Sequence, residues 1–198
     1  MYPLLETIYL YEGAFRNLPY HEARMSSSIK ALYRQNITID LSDYLNSIQV
    51  PASGLFKTRV IYETEIVKVE FVPYTVKPVQ SLKLVHSDVI TYDHKFLDRS
   101  GLQNLYNQRD DLDEILIVKN GFITDTSYAN VIFRKNGKWF TPKHYILKGT
   151  MRQYLLENGT IMEAVIDDHN YLEYESVKLV NAMLGMDGEE IPVKSIHQ

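Results

Sequence analysis

Strand-length apolar patterns recur from one end of this chain to the other, while only three stretches carry helical periodicity. Leu4 to Tyr11 reads as a strand closed by a turn at Glu12-Gly13. Phe56, Thr58, Val60 and Tyr62 alternate with Lys57, Arg59, Ile61 and Glu63, and beyond a Glu-Thr-Glu turn Val67, Val69 and Phe71 share one face. Further strands are expected at Ser81 to Val85, Glu114 to Val118, Met162 to Ile166 and Val177 to Val180. Tyr128 to Arg134 and Trp139 to Thr141 read as a hairpin closed by Asn136-Gly137. The helical stretches are Tyr20 to Arg34, Leu97 to Tyr106 and Thr150 to Glu157. In the first, Met25, Ile29, Leu32 and Tyr33 form an apolar stripe beside a polar stripe of His21, Arg24 and Ser28. A polar segment rich in Asn, Ser and Asp separates this helix from the paired strands. Strands in both halves with a few helices predict an α+β (mixed α/β) fold. Pro73 and Pro78 bracket a connector, and two lobes are expected, at residues 1–85 and 86–198.

Composition narrows the chemistry. The 198 residues carry 45% hydrophobic and 23% charged side chains, an ordinary balance for a globular protein with a real core. Without cysteine there are no disulfides, thiolate zinc sites or cysteine nucleophiles, and a reducing compartment fits. A formal charge of −4 with no Lys/Arg-rich run gives no electrostatic basis for nucleic-acid binding. The N-terminal segment has no basic region and Glu6 interrupts its apolar character, so no signal peptide is expected. The longest apolar runs, such as Ile115-Leu116-Ile117-Val118, are too short to span a bilayer, and a soluble cytoplasmic protein is the expectation. Fifteen tyrosines against one tryptophan suit an amphipathic interface or half-open pocket, or simply the filling of strands.

Several residues invite a chemical reading, each beside a plain one. Lys95 sits at the seam between the expected lobes, where a neutral amine would be a nucleophile; alone it reads as a surface lysine. Asp125 lies between two strands and could hold a protonated ring nitrogen, or could be a turn aspartate capping its own backbone. Gly149-Thr150 opens a helix whose free N–H groups suit a phosphate, or is a plain threonine N-cap. Arg24 could pair bidentately with that phosphate or be a solvated helix charge. No His-Glu-x-x-His, Gly-x-Ser-x-Gly, P-loop or Gly-x-Gly-x-x-Gly pattern occurs, and the histidines show no metal spacing, so no metal is expected.

Taken in order, these segments resemble the class IV pyridoxal-5'-phosphate (PLP) enzymes, which join aminodeoxychorismate lyases with branched-chain and D-amino-acid aminotransferases. Leu5-Glu6-Thr7-Ile8 is similar to the family's Phe-Glu-Thr strand, and His21-x-x-Arg24-Met25 to its His-x-x-Arg-Leu helix. Lys95-Phe96-Leu97-Asp98-Arg99 resembles the lyases' Lys-His-Leu-Asn-Arg. Gly121-Phe122-Ile123-Thr124-Asp125 resembles the stretch ending in Val-Thr-Glu, and Leu147 to Arg152 the phosphate-binding Gly-Ile-x-Arg turn. Val180-Asn181-Ala182-Met183 with Ile191-Pro192-Val193 resembles the lyases' ending, which tilts the likeness toward them.

The resemblance implies a two-lobe PLP fold of type IV, an N-terminal α+β lobe and a C-terminal pseudo-barrel lobe with PLP between them. It places the Schiff-base lysine on Lys95, the partner of the pyridine nitrogen on Asp125, and the phosphate on Arg24, Gly149, Thr150 and Asn181. The implied reaction converts 4-amino-4-deoxychorismate to 4-aminobenzoate and pyruvate for folate synthesis. An amino-acid aminotransferase is the alternative, and a PLP-binding protein without catalysis a second one. A homodimer is implied as well, because members complete their sites from the partner subunit. The chain departs from the pattern in its shortness before the first strand, its abbreviated middle region and an aspartate where glutamate is usual. No arginine aligns with the one that reads the substrate carboxylate; Arg59 and Lys68 are the candidates.

Overall fold

Leu4, Glu6, Ile8 and Leu10 point to one face of the first strand, all fully buried, while Tyr9 and Tyr11 on the other face retain exposure. That period of two fixes which face of the sheet a helix can cover. The computed structural model describes residues 2–198 and divides into two units, Met1–Val76 with His94–Asp98, and Lys77–Asp93 with Arg99–Gln198. The expected boundary at 85/86 thus falls earlier. Residues 77–85 go with the second unit because their strand pairs there, and the short Lys95 segment goes with the first.

The first unit contains β1 (Leu4–Tyr11), β2 (Ala14–Phe15), α1 (Leu18–Tyr33), α2 (Leu41–Asn46), β3 (Leu55–Tyr62) and β4 (Ile66–Pro73). The strands form an antiparallel sheet in the order β2-β1-β3-β4. Met25 and Ile29 of α1 and Leu41 and Leu45 of α2 pack on Leu4, Ile8, Val60 and Tyr62. Each fully buried aliphatic side chain there contributes about 1.5–3 kcal/mol. Helix α1 begins two residues before Tyr20 because Pro19 is tolerated in a first turn, where its missing N–H has no partner to lose. Helix α2 lies in the segment that reads as polar. Asp40 caps it by accepting from the Asp43 N–H at 2.8 Å, and Leu41 and Leu45, four apart, bury its one apolar edge.

The second unit contains β5 (Leu82–His86), α3 (Ser100–Tyr106), β6 (Glu114–Lys119), β7 (Phe122–Ile123), β8 (Asn130–Lys135), β9 (Lys138–Pro142), α4 (Thr150–Glu157), β10 (Met162–Ala164), β11 (Ser176–Val180), β12 (Ile191–Pro192) and β13 (Ile196–His197). One sheet runs β13-β5-β6-β7 and the other β10-β9-β8-β11-β12. Strand β6 is buried from Glu114 to Val118, and its apolar run Ile115 to Val118 lies in a strand paired on both edges. The β8–β9 hairpin turns at Asn136 and Gly137, both at positive φ, which is what a two-residue hairpin turn demands. Leu82, Leu116, Val118, Val131, Phe133, Val177 and Leu179 form the main core. Helix α3 starts at Ser100, not Leu97, because Phe96 bridges to Leu4 and the Leu97 N–H is taken by Pro3 O.

Candidate active site

In the first unit a carboxylate stands where the sheet's alternation calls for an apolar side chain. Glu6, on the core face of β1, is fully buried among Leu4, Ile8 and the apolar stripe of α1. From α1, Arg24 grips it with two nitrogens, Nε to Oε1 at 2.8 Å and Nη2 to Oε2 at 2.5 Å. His21 donates from Nδ1 to Oε2 at 2.6 Å, so Nδ1 carries the proton. Burial pushes the Glu6 carboxyl up, but the Arg24 charge and the bonds from His21 and Arg24 overcome it and bring the pKa to about 2. The His21 imidazole is held below its ordinary value, first by burial, with the charges of Arg24 and Lys95 adding against the pull of Glu6. His21, Arg24 and Ser28, the polar stripe of the sequence, therefore face inward, and Ser28 meets His94 Nδ1 at 3.1 Å.

Lys95 is fixed by its main chain. Its carbonyl accepts from the Leu5 N–H at 2.8 Å, one residue from Glu6. The structure thus brings Lys95 and Arg24 into one neighbourhood around β1. Arg59 and Lys68 lie on the opposite face of the same sheet. Arg59 pairs with Glu70 across the strands at 3.6 Å, and Lys68 reaches the same carboxylate at 2.7 Å. Both candidates for a substrate carboxylate therefore carry an acidic partner already.

In the second unit Asp125 is the centre of a buried network. Its Oδ2 accepts from the N–H groups of Ile146 and Leu147, both at 2.8 Å, and Oδ1 accepts from Asn130 Nδ2 at 2.6 Å. Asn130 Nδ2 also donates to Leu147 O at 3.0 Å. Asn130 Oδ1 lies 1.9 Å from where a Cβ on Gly149 would stand, so only glycine fits there without moving an amide held by two bonds. Gly149 is the N-cap and Thr150 the first helical residue of α4, so the plain reading of Thr150 as the cap is not what forms. No side chain caps this helix, whose start lies four residues after the Ile146 N–H that Asp125 binds. Burial pushes the Asp125 pKa up to about 6, against the opposing pull of the bonds from Leu147, Asn130 and Ile146 and the Arg152 charge. Arg152 itself is buried, paired with Glu163 at 2.7 Å.

Asn181 follows Val180, whose partner across β11 and β8 is Asn130. Its Oδ1 caps a turn, accepting from the N–H groups of Met183 and Leu184 at 2.9 Å. Arg99 donates to Ser127 O at 2.7 Å within the second unit. Glu114 is buried beside it and accepts from Ser127 N and Oγ, which fixes the loop beyond Asp125.

Glu6 and Asn130 were not among the candidates. Glu6 could have been found as the lone acid on the buried face of an apolar strand, with a polar stripe of matching charge on the next helix. Asn130 is marked as a polar residue heading a four-residue buried run. Among the described residues no group of three or more His, Cys, Asp and Glu could hold a metal ion, and no helix is long and apolar enough to cross a membrane.

The chain has the class IV aminotransferase fold. A hypothetical aminotransferase from Mycobacterium tuberculosis in its PLP-bound form superposes with a TM-score of 0.78 over 98% of this chain and 81% of that one, at 15% identity. The description Amino-transferase class IV matches residues 68–196, and the chain belongs to that family. A "Putative aminodeoxychorismate lyase" of Schizosaccharomyces pombe is 31% identical over 195 residues, 88% of this chain and 80% of that protein. The crystal structure of a "putative 4-amino-4-deoxychorismate lyase" from Haemophilus somnus is 35% identical, with a TM-score of 0.87 over 93% of this chain and 98% of that one.

Proposed function

We propose that the chain is a PLP-dependent lyase acting on 4-amino-4-deoxychorismate to release 4-aminobenzoate and pyruvate. The near full-length likeness to the Haemophilus somnus protein of that name carries the choice of reaction. The residues present fit the cofactor. A carboxylate has about four acceptor positions, of which Asp125 uses three, two at Oδ2 and one at Oδ1; the fourth suits a ring N–H. Burial makes a lone negative charge there unfavourable, which a cationic partner would relieve. The uncapped start of α4, with a glycine that Asn130 does not allow to be larger, suits a phosphate.

When bound, PLP supplies an electron sink. Lys95 would hold the cofactor through its Nζ and, with that amine freed, would take up and return the substrate proton there. Asp125 would hold the ring nitrogen and favour its protonated form. Gly149, Thr150 and Arg24 would bind the phosphate, with Asn181 as a further candidate for it. The substrate's carboxylates fall to Arg59 and Lys68, in exchange with Glu70. Purified protein with PLP is expected to release 4-aminobenzoate from 4-amino-4-deoxychorismate with no keto acid present. Amine transfer that requires a keto acid, without that release, would assign the aminotransferase reaction instead. PLP binding with neither activity would leave a non-catalytic binder.

The working unit in this reading is a homodimer, the commonest closed oligomer. Light scattering at micromolar concentration is expected to give twice the 23.1 kDa chain mass, with activity lost on dilution as the mass halves. A fully active 23 kDa monomer would remove the dimer from the proposal.

A further inference from the structure

Glu6 is an anomaly that folding alone does not explain. It is fully buried, its neighbours Leu4, Ile8, Met25, Ile29 and Val60 are apolar, and its alternation partners on β1 are all hydrophobic. Taking a carboxylate and a guanidinium out of water costs more than their pairing commonly returns, and an apolar pair of similar volume is often as stable or more so. A chain selected only for a stable sheet would carry a leucine at this position.

What the acid does geometrically is specific. By accepting from both Nε and Nη2 it fixes the guanidinium plane, which one contact could not. His21 occupies the second side of Oε2 with its Nδ1 proton, so the carboxylate cannot rotate away without breaking a 2.6 Å bond. The base of this arrangement is rigid. Glu6 sits mid-strand on β1, in register with Val60, and His21 and Arg24 are one turn apart on α1. The arginine is therefore held by a strand and a helix together, where an unaided long side chain would lose rotamer freedom on every binding event.

We propose that Glu6, braced by His21, is a positioning residue that pre-orients Arg24 for the cofactor phosphate. The inference rests on the PLP reading above and on Arg24 as a phosphate ligand, and adds that the arginine's grip depends on a buried acid that itself touches no part of the cofactor. Its signature is selectivity. Pyridoxal has the same ring and aldehyde as PLP but no phosphate, so a defect in Arg24's orientation lowers affinity for PLP and leaves pyridoxal unchanged. A merely structural role would weaken both alike.

The test measures dissociation constants for PLP and pyridoxal by absorbance, with thermal unfolding recorded on each variant. In wild type PLP is expected to bind far more tightly than pyridoxal. Glu6→Gln is expected to reduce that preference about tenfold or more, and Arg24→Met to reduce it at least as far. Adding Glu6→Leu to Arg24→Met is expected to cause no further loss, because the acid acts only through the arginine, and to leave the melting temperature equal or higher. If Glu6→Gln does not fold, the comparison of Arg24→Met with the double variant decides alone. An unchanged preference in folded Glu6→Gln, or a further loss of preference in the double variant, overturns the inference while leaving the PLP reading intact. A wild-type chain that binds no PLP removes that reading and the inference with it.

Discussion

Replacing Lys95 with alanine is expected to leave the fold in place and to lower turnover by at least about a thousandfold, the scale of losing a positioned acid–base group that is also the nucleophile. The fold should survive because main-chain hydrogen bonds, which alanine keeps, secure the segment. The Lys95 carbonyl accepts from Leu5, Phe96 bridges to Leu4, and the Leu97 N–H donates to Pro3 O. A β-type edge of that kind tolerates alanine. Borohydride added to wild type with PLP should attach the cofactor to Lys95 irreversibly, with the added mass found by peptide mapping. Lys95→Arg keeps the charge but has no free amine and should behave like alanine. An adduct recovered on a different lysine, or an arginine variant with near-normal turnover, would take the catalytic role away from Lys95.

How far the sequence alone leads is set by how local the determining forces are. Strand β1 and helix α4 match their expected limits because each is bounded by punctuation close at hand, Glu12-Gly13 for one and Asn158-Gly159 for the other. Helix α2 was invisible because six residues with two buried leucines are too short for a periodic signal, and tertiary packing decides them. Strands β12 and β13 are two residues each and exist only because β11 and β5 offer free edges. Helix α3 starts at Ser100 and not at Leu97 because Phe96 and Leu97 pair with a segment some ninety residues earlier in the chain.

The site divides along the same line. Arg24, Lys95 and Asp125 could be nominated because the resemblance fixes them by order, and composition contributed nothing. What no spacing could reveal is the partner set of each: that Arg24 is committed to Glu6, that Arg59 and Lys68 share Glu70, and that Asn130 joins Asp125 to Gly149. These pairings span 18 residues from Glu6 to Arg24 and 17 from Asn130 to Leu147, and they arise only when sheet register brings the elements together. The aspartate in place of the usual glutamate also gains a structural context. Its short side chain lets one carboxylate oxygen take both N–H groups of the Ile146-Leu147 turn, so the acid positions the approach to α4 and, in the proposed function, would also serve as the partner of a ring nitrogen.

That double duty makes Asp125→Asn the most informative single change. An amide has one acceptor oxygen and one donor nitrogen where the carboxylate had two acceptors. If the new oxygen faces the Ile146 and Leu147 N–H groups, the new NH2 meets the Asn130 NH2, donor against donor. Asn130 cannot flip to answer it, because its oxygen would then oppose Leu147 O. One buried polar group is left unsatisfied whichever way the pair settles, and a loss of about 1–3 kcal/mol in stability is expected from chemical denaturation. Turnover should fall at least about a hundredfold, as for removal of one preorganised electrostatic partner, since nothing then holds the ring nitrogen protonated. The pH dependence separates the two effects. The folded pKa of about 6 lies above the 3.8 of the free side chain, so between those values the native state holds a proton that the unfolded chain has released. Asp125 therefore makes the cofactor-free protein less stable as pH rises from about 4 to 6, with the penalty constant above that. The asparagine variant cannot titrate, so its stability deficit relative to wild type should be largest near pH 4 and shrink by pH 7. A deficit that does not change with pH would mean that the carboxylate ionises in the native state as freely as in water. Near-normal turnover in the same variant would reduce Asp125 to the residue that ties Asn130 and the Ile146-Leu147 turn together.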